Sequence, residues 1–336
     1  MTLDSFIWRD AGRTVVFRRN GVAEATRLLR EHDLEPFELL TTSRGLAAAP
    51  ELGAAAEAVH VVPAGQVPEL AATLVEAAAS SSLVAFGGGR PIDVAKAVAA
   101  VTGARVAAIP TTLSGAEMTG IHRLPAGAES RVASMVRPCL VVADPIAMTS
   151  QPEAALRASA MNALAHGADS LYTPFANPVS EMSALRGAEL IATALDHGPG
   201  ERSPAPLALG SLLCGYAIDS AMFGLHHVVC QTLVRVCGSP HAETNAAILP
   251  GALALLLARA PDRLADFVAA IESDRGVVEA RVRQLGGDPA GLGAIGADRA
   301  KLDEALESMA VRPELAFVPG APLEKAELAE LVEAAW

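Results

Sequence analysis

Ser82-Leu-Val-Ala-Phe-Gly-Gly-Gly-Arg-Pro-Ile-Asp-Val-Ala-Lys96 decides the fold of the first half of this 336-residue chain. Its apolar start predicts a buried strand, and Pro91, after the glycines, suits the first turn of a helix. Glycines between a strand and a helix let a pyrophosphate approach the backbone amides at the positive end of the helix. The pattern is not GxGxxG, so the segment by itself fits a tight strand-to-helix turn equally well.

A second polar strand end favours the phosphate interpretation. Ile109-Pro-Thr-Thr-Leu-Ser-Gly115 follows another apolar run and delivers hydroxyls where a ligand lies in an open α/β sheet. Together the two segments predict a dinucleotide site. Its predicted cofactor-binding residues are Gly87, Gly88, Gly89, Asp93, Lys96, Thr111, Thr112 and Ser114. Lys96 would support phosphate or ribose groups, the alternative being a solvated surface lysine.

Short β-type runs alternate with helical stretches through the first half of the chain. The predicted strands are 14–17, 36–40, 59–62, 82–86, 105–109 and 139–143, and the predicted helices are 21–32, 67–80 and 91–102. Such alternation indicates a parallel, Rossmann-like sheet with helices on both faces. The sequence therefore predicts an α/β dinucleotide-binding domain over residues 1–150.

The second half contains long helix-periodic segments and hardly a strand candidate. Predicted helices cover 152–171, 179–195, 205–236 and 244–260. Pro152 suits the first turn of the helix 152–171. The boundary between the two domains is therefore predicted near residues 146–156. An all-α domain is therefore expected over residues 151–336.

Composition excludes several classes of protein. The net charge of −12, without a long Lys/Arg cluster, argues against nucleic-acid or anionic membrane partners, and 51% apolar residues argue against disorder. The start, MTLDSFIWRD, is not a signal peptide, and the apolar stretches are too short to cross a bilayer. Cys139, Cys214, Cys230 and Cys237 form no CxxC pair, so reduced thiols and a cytoplasmic location are expected.

The helical half carries a metal-site pattern that lacks its carboxylate. Asn162 and His166 lie four residues apart and share one face of a helix, and His226, His227 and His241 follow later in the chain. A divalent cation among imidazoles normally has a carboxylate beside it, because an amide oxygen supplies no negative charge. His166, His227 and His241 at such spacings are not expected to be unrelated core residues.

These residues resemble the iron-containing, or group III, alcohol dehydrogenase superfamily, whose two-domain fold is shared with dehydroquinate synthase. The narrower resemblance is to its maleylacetate reductase branch. It is carried by the segments Pro110–Thr119, Met161–His166, Phe175–Pro178, Leu225–Leu233 and Pro240–Glu243. In the metal-dependent alcohol dehydrogenases, the position of Asn162 is a ligand aspartate, and those of His166, His227 and His241 are ligand histidines. The reductase branch carries asparagine there and is expected to work without metal.

The resemblance implies reduction of the carbon–carbon double bond of an unsaturated oxo-dicarboxylate in aromatic degradation, by NADH or alternatively NADPH, in a homodimer. Hydride addition β to a ketone generates an enolate, which needs donors at its oxygen and a proton source at the α carbon. The predicted catalytic residues are His166, His227, His241 and Asn162, and the predicted substrate-binding residues are Tyr172, His226 and Gln231. For Tyr172, a core tyrosine is the alternative.

The chain departs from the branch at three places. Arg90 replaces the usual serine after the glycines, and Gln231, which cannot relay a proton, replaces a histidine four residues after His227. The basic substrate loop is shortened between Thr119 and Arg137. Its remaining cations are Arg123, Arg131 and Arg137.

Two other functions stay open on the sequence. One is a metal-dependent alcohol dehydrogenase in which His166, His227, His241 and water hold Zn²⁺ or Fe²⁺. The other is a paralogue that binds cofactor without turnover, which Arg90 and Gln231 favour. Cofactor preference is also open, because Arg44 after the second strand could accept a 2′-phosphate.

Overall fold

The computed structural model describes residues 5–336, and the chain divides into two compact units, Met1–Gln151 and Pro152–Trp336. The strands are β1 (Ser5–Asp10), β2 (Arg13–Arg18), β3 (Glu38–Thr41), β4 (Ala58–Val61), β5 (Ser82–Gly87), β6 (Arg105–Pro110) and β7 (Leu140–Ala143). The helices of the first unit are α1 (Ala25–Glu31), α2 (Ser43–Ala48), α3 (Pro50–Ala55), α4 (Val67–Val75), α5 (Gly89–Thr102) and α6 (Pro145–Met148).

The first unit is built on one seven-stranded sheet in the order β1-β2-β7-β6-β5-β3-β4. All neighbouring strands from β2 to β4 are parallel, as the alternation of strands and helices predicts. The exception is β1, which the sequence analysis missed. It pairs antiparallel with β2 and makes the sheet mixed. Its side chains alternate between exposed and half-buried, so it lacks the continuous apolar run of the inner strands.

Both faces of this sheet are covered by helices because successive strand residues point to opposite sides. Leu40 and Ala108 pack with Ile92 and Val98 of α5 on one face. On the other face, Leu39 and Ala107 belong to a core with Leu28, Leu29 and Phe37. The inner strands are therefore buried on both sides, and their polar groups can meet a ligand at the strand ends.

The direction in which successive strands are added to the sheet reverses between β3 and β5. The chain passes from β3 outward to β4, then returns to the other side of β3 as β5 and continues through β6 to β7. In open α/β sheets, ligands bind beyond the carboxyl ends of the strands at such a switch point. Gly87, the last residue of β5, lies at this point, and its register partner is Pro110 at the end of β6.

The second unit contains no strand among its residues, all of which the structure describes. Its helices are α7 (Glu153–Asp169), α8 (Pro178–Asp196), α9 (Pro204–Ala221), α10 (Leu225–Val236), α11 (His241–Arg259), α12 (Pro261–Ala270), α13 (Val278–Gly286), α14 (Leu302–Ala310) and α15 (Lys325–Ala334). Helix α7 is buried from Ala158 to Asp169, which explains why it shows no polar face.

One predicted helix of this unit is wrong. The segment 205–236 is not continuous, because the chain breaks after α9 and restarts as α10 at an angle of 98°. Met222 has a positive φ of 64°, and Gly224 precedes the first residue of α10. The break turns the first amides of α10 toward α7. Within residues 5–336 no single helix is long and apolar enough to span a membrane. The bent pair α9 and α10 reaches the necessary length and apolar composition only when the two helices are counted together.

Candidate active site

The glycine turn of the first unit lies against the hydroxyl-bearing strand end. A Cβ atom at Gly88 would lie 2.9 Å from Cγ2 of Thr112, and one at Gly89 would lie 3.2 Å from Oγ of Ser114. Gly87 accepts a hydrogen bond from the amide of Thr111 at 2.8 Å. The buried Thr112 hydroxyl has no hydrogen-bond partner among residues 5–336. This narrow glycine cradle, with a hydroxyl beside the start of α5, fits a dinucleotide pyrophosphate.

Lys96 does not belong to this cradle. It is fully buried, and its ammonium donates to the carbonyls of Ala116 at 2.9 Å and Ile121 at 3.0 Å, with Thr119 Oγ1 at 3.3 Å. Asp93 forms an ion pair with it at 2.8 Å. Lys96 was predicted to bind cofactor, but its charge holds the segment that follows β6, whereas Asp93 is 30% exposed and its cofactor role stays a prediction. A buried ammonium needs such partners, and a solvated phosphate cannot reach it.

Glu117 lies in the segment that Lys96 holds. Its side chain is fully buried, and neither carboxylate oxygen has a hydrogen-bond partner within residues 5–336. Burial raises the pKa of Glu117 to about 7, although the charges of Lys96 and Arg13 oppose the shift. The carboxyl is therefore easily kept protonated at this position.

In the second unit the structure brings two predicted histidines into direct contact. The rings of His166 on α7 and His227 on α10 stack with centroids 4.7 Å apart and planes 18° apart. Both side chains are buried, and Asn162 lies one turn before His166 on the same helix. Nδ1 of His166 and Nε2 of His227 have no hydrogen-bond partner among residues 5–336. These two nitrogens are available for a ligand.

Asp169, which the sequence analysis missed, holds His227 in place. Its carboxylate accepts from Nδ1 of His227 at 2.8 Å and from the backbone amides of Gly224, His226 and His227 at 3.1, 3.4 and 3.2 Å. Burial alone would raise the pKa of Asp169, but the hydrogen bond and charge of His227 outweigh it and hold the pKa well below its usual value. An ionised carboxylate at the start of α10 also complements the helix dipole.

The position of Asp169 could have been found from its spacing. It follows Asn162 by seven residues and His166 by three, so all three side chains share one face of α7. The metal-site pattern covers only Asn162 and His166, which are four residues apart. The carboxylate of Asp169 lies one turn further along the same face and belongs to the cluster.

Tyr172 supports the same junction. Its hydroxyl donates to Asp169 at 2.7 Å and accepts from the amide of Leu225 at 2.7 Å. A Cβ atom at Gly224 would overlap this hydroxyl, so only glycine permits the approach. Burial and the Asp169 charge raise the pKa of Tyr172 well above its usual value. The hydroxyl that was predicted to meet the substrate is thus engaged in positioning α10.

His226 and His241 are linked to each other through Asn245. Nε2 of His226 lies 2.8 Å from Oδ1 of Asn245, whose Nδ2 lies 3.4 Å from Nε2 of His241. His226 is 1% exposed and contacts Sγ of Cys230 at 3.5 Å, so its predicted contact with substrate does not fit its burial. His241 is exposed at the first residue of α11. The structure therefore pairs His166 with His227 and gives His241 a separate partner.

Burial also decides the charge of the cluster. It lowers the pKa of His166 well below the usual value, with His227 and His241 contributing to the shift. Burial and His227 lower the pKa of His226 to about 3. These two imidazoles are neutral near pH 7 and offer hydrogen bonds, not positive charge, to an anionic ligand.

Gln231 lies one turn after His227 on α10 and contacts a cation that the sequence analysis did not single out. Nη2 of Arg312 donates to Oε1 of Gln231 at 3.4 Å. The Arg312 guanidinium lies over the ring of Phe223, 5.9 Å from its centroid, and that ring lies 6.2 Å from the ring of His227. By contrast Arg131, one of the predicted substrate-loop cations, forms an ion pair with Glu76.

The donor set in the second unit has an amide, not a carboxylate, at the position of Asn162. Within residues 5–336, no group of three His, Cys, Asp or Glu side chains is placed to hold one. Asn162, at the position where a carboxylate ligand would be expected, supplies no charge. A divalent cation bound to neutral imidazoles alone lacks the anionic ligand that usually accompanies them in catalytic sites.

Sequence comparison assigns both units to one family. The model of the family described as iron-containing alcohol dehydrogenase matches residues 14–145, and the model of its C-terminal part matches residues 157–306. The fold and the site therefore define the class: the chain belongs to the iron-containing alcohol dehydrogenase family and is an oxidoreductase.

Individual relatives narrow the assignment. Maleylacetate reductase from Rhizobium sp. (strain MTP-10005) is 30% identical over 328 residues, which cover 95% of this chain and 91% of that protein. The enzyme from Burkholderia cepacia is 33% identical over 264 residues, covering 75% and 73% of the two chains. The crystal structure of maleylacetate reductase from Agrobacterium tumefaciens superposes with a TM-score of 0.82 at 29% identity over 98% of both chains. Within the family, the chain belongs to the maleylacetate reductase branch.

Proposed function

We propose that this protein is a metal-independent, NAD(P)H-dependent reductase of maleylacetate, or of a related unsaturated oxo-dicarboxylate, in the degradation of aromatic compounds. The observation that carries the proposal is the stacked pair of His166 and His227, which lies beside Asn162 where a metal site would have a carboxylate. The names of the relatives supply the substrate.

The histidine pair suits the reduction of an enone. A bound nicotinamide would supply hydride to the carbon β to the ketone, and the substrate would then carry enolate charge on its carbonyl oxygen. His166, neutral and buried, donates a hydrogen bond to this oxygen. Asp169 accepts from Nδ1 of His227, so a proton for the α carbon would come from Nε2 of a ring protonated at both nitrogens, and the ring would be left neutral. The product is the saturated oxo-dicarboxylate.

The cofactor would bind through the first unit. The pyrophosphate would be held at the start of α5 by Gly87, Gly88, Gly89 and the Thr112 hydroxyl. NADH is proposed first. NADPH is the alternative, because Arg44 is exposed in the first turn of α2, directly after β3.

We also propose that the protein forms a homodimer. Strand β1 is paired on one side only among the described residues, and Ile7 on it is 48% exposed. An edge strand with an exposed apolar side chain is stabilised when a second chain covers it. Light scattering on the purified protein would give twice the chain mass if this is correct and the single-chain mass if it is not.

The proposed reaction is tested by following NADH with maleylacetate and, separately, NAD⁺ with a panel of primary alcohols and diols. We expect NADH consumption with stoichiometric formation of 3-oxoadipate and no alcohol oxidation. Turnover of alcohols with no reduction of maleylacetate would overturn the proposal. Tight NADH binding without hydride transfer to any oxo-acid would identify a cofactor-binding paralogue instead.

A further inference from the structure

An anionic substrate needs a cation that the histidine cluster does not supply. Besides Asp169, the cluster consists of imidazoles and the amide of Asn162, and no Lys or Arg among residues 5–336 belongs to it. Asp169 adds a negative charge behind His227. A carboxylate that approaches this cluster therefore meets little positive charge, and desolvating it there would be unfavourable. The compensating group must come from another element.

Arg312 is a cation placed beside the cluster. It immediately precedes the 3-10 turn Pro313–Phe317, which packs against α10. Its guanidinium lies over Phe223, and Phe223 in turn faces the His227 ring. The guanidinium carbon lies 5.9 Å from the centroid of the Phe223 ring, and that centroid lies 6.2 Å from the centroid of the His227 ring. A six-carbon chain with its carboxylate contacts can therefore span from His227 to Arg312. Stacking on an aromatic face fixes the plane of the guanidinium.

The guanidinium is oriented on one edge and open on another. Nε and Nη2 donate to the two oxygens of Glu314 at 2.9 and 2.8 Å, and Nη2 also reaches Gln231 at 3.4 Å. Nη1 donates no hydrogen bond within residues 5–336. The side chain of Arg312 is 17% exposed, so it is held firmly yet remains reachable. An arginine fixed by one carboxylate can bind a second through its remaining N–H groups.

Gln231 completes this arrangement. It lies on the face of α10 that carries His227, and its amide oxygen approaches Arg312 at a long distance of 3.4 Å. A carboxylate oxygen is a stronger acceptor than an amide oxygen for the same N–H group. A ligand carboxylate can therefore replace the amide contact while Glu314 keeps the guanidinium in position.

We propose that Arg312 is the substrate-binding residue for one carboxylate of an oxo-dicarboxylate, with Glu314 and Phe223 as its positioning residues. The inference rests on the proposed function for the identity of the dicarboxylate. It gives Gln231, by which this chain departs from the branch, a role as the partner of Arg312 in the free enzyme. An analogue that lacks the carboxylate facing Arg312 gains nothing from this contact.

Calorimetric titration of adipate, a saturated six-carbon dicarboxylate, into the full-length protein with NADH present tests the inference. The variants are Arg312→Gln, the double variant Arg312→Gln/Glu314→Gln and the control Arg281→Gln. Arg281 is a suitable control because it forms a comparable bidentate pair with Asp196 on the same unit. The double variant removes both charges, so that repulsion by an uncompensated Glu314 does not contribute. Thermal melting verifies that each variant is folded.

We expect the dissociation constant for adipate to rise about tenfold or more in both Arg312 variants and to stay within about twofold in Arg281→Gln. Unchanged affinity in the double variant, an equal loss in the control, or no adipate binding by the wild type would overturn the inference. If adipate binds through Arg312 but maleylacetate is not reduced, the carboxylate subsite stands and the proposed reaction fails.

Discussion

Oδ2 of Asp169 lies 2.8 Å from Nδ1 of His227, although the two residues are 58 positions apart in the chain. The break between α9 and α10 makes this contact, because it turns the first amides of α10 onto the same carboxylate. One buried carboxylate thus fixes both the start of a helix and the orientation of an imidazole. The candidate active site depends on this junction more than on any spacing visible in the sequence.

Replacing Asp169 by Asn should impair catalysis more than cofactor binding. The amide cannot accept from Nδ1 with the strength of a carboxylate, so the His227 ring loses its fixed tautomer and orientation. We expect kcat with maleylacetate to fall by about 100-fold or more while the KM for NADH changes little. Asp196→Asn, which removes a surface partner of Arg281, is the matched control. A variant with wild-type kcat would show that Asp169 only caps the helix.

Tyr172→Phe distinguishes a positioning role from substrate binding. The change leaves the buried amide of Leu225 without its acceptor, which should lower the free energy of unfolding by about 1–3 kcal/mol. The KM for maleylacetate should stay within about twofold, because the hydroxyl is engaged with Asp169. Denaturant unfolding and steady-state kinetics check the two parts. A large rise in KM at unchanged stability would restore Tyr172 as a substrate contact.

Lys96→Met should destabilise the first unit although the new side chain is apolar and of similar length. The carbonyls of Ala116 and Ile121 lose their charged donor, and Asp93 loses its ion partner. The expected loss is about 3 kcal/mol, measured by denaturant unfolding. Lys325→Met is the control, because that lysine pairs with Glu307 on the surface. Equal stability of the two variants would contradict the structural role given to Lys96.

Glu117 should make stability depend on pH. Its folded pKa of about 7 lies above the ordinary value of 4.5, so the folded state binds the proton more tightly than the unfolded state. Stability is therefore lost as pH rises from about 4.5 through 7, by about 3 kcal/mol at most. Glu117→Gln should melt above the wild type at pH 8 and close to it at pH 5. A difference that is the same at both pH values would contradict this assignment.

The fold follows from the sequence where a pattern is periodic and continuous. The buried run 82–86, the glycines and the helix after them predict the switch point of the sheet, and six of the seven strands are recognised. Strand β1 is not, because an edge strand with one half-exposed face carries a weak apolar signal. The break at residues 222–224 is also missed, since apolar residues on both sides make one long helix look continuous.

The site is predicted less completely than the fold. Asn162, His166 and His227 are found by their spacing and by family resemblance, and the structure brings them together. Lys96 is misassigned because a sequence does not reveal that a lysine is fully buried. Arg312 is missed because it lies far along the chain, just before a short 3-10 turn, and only tertiary packing brings it beside Phe223.

The central claim is reduction of maleylacetate without metal by the stacked histidine pair. Its most direct test measures NADH consumption with maleylacetate before and after dialysis against EDTA, with elemental analysis of the same sample. The account predicts an unchanged rate and less than a stoichiometric amount of Zn or Fe. A rate abolished by EDTA and restored by Zn²⁺ or Fe²⁺ would contradict it and identify a metal-dependent dehydrogenase.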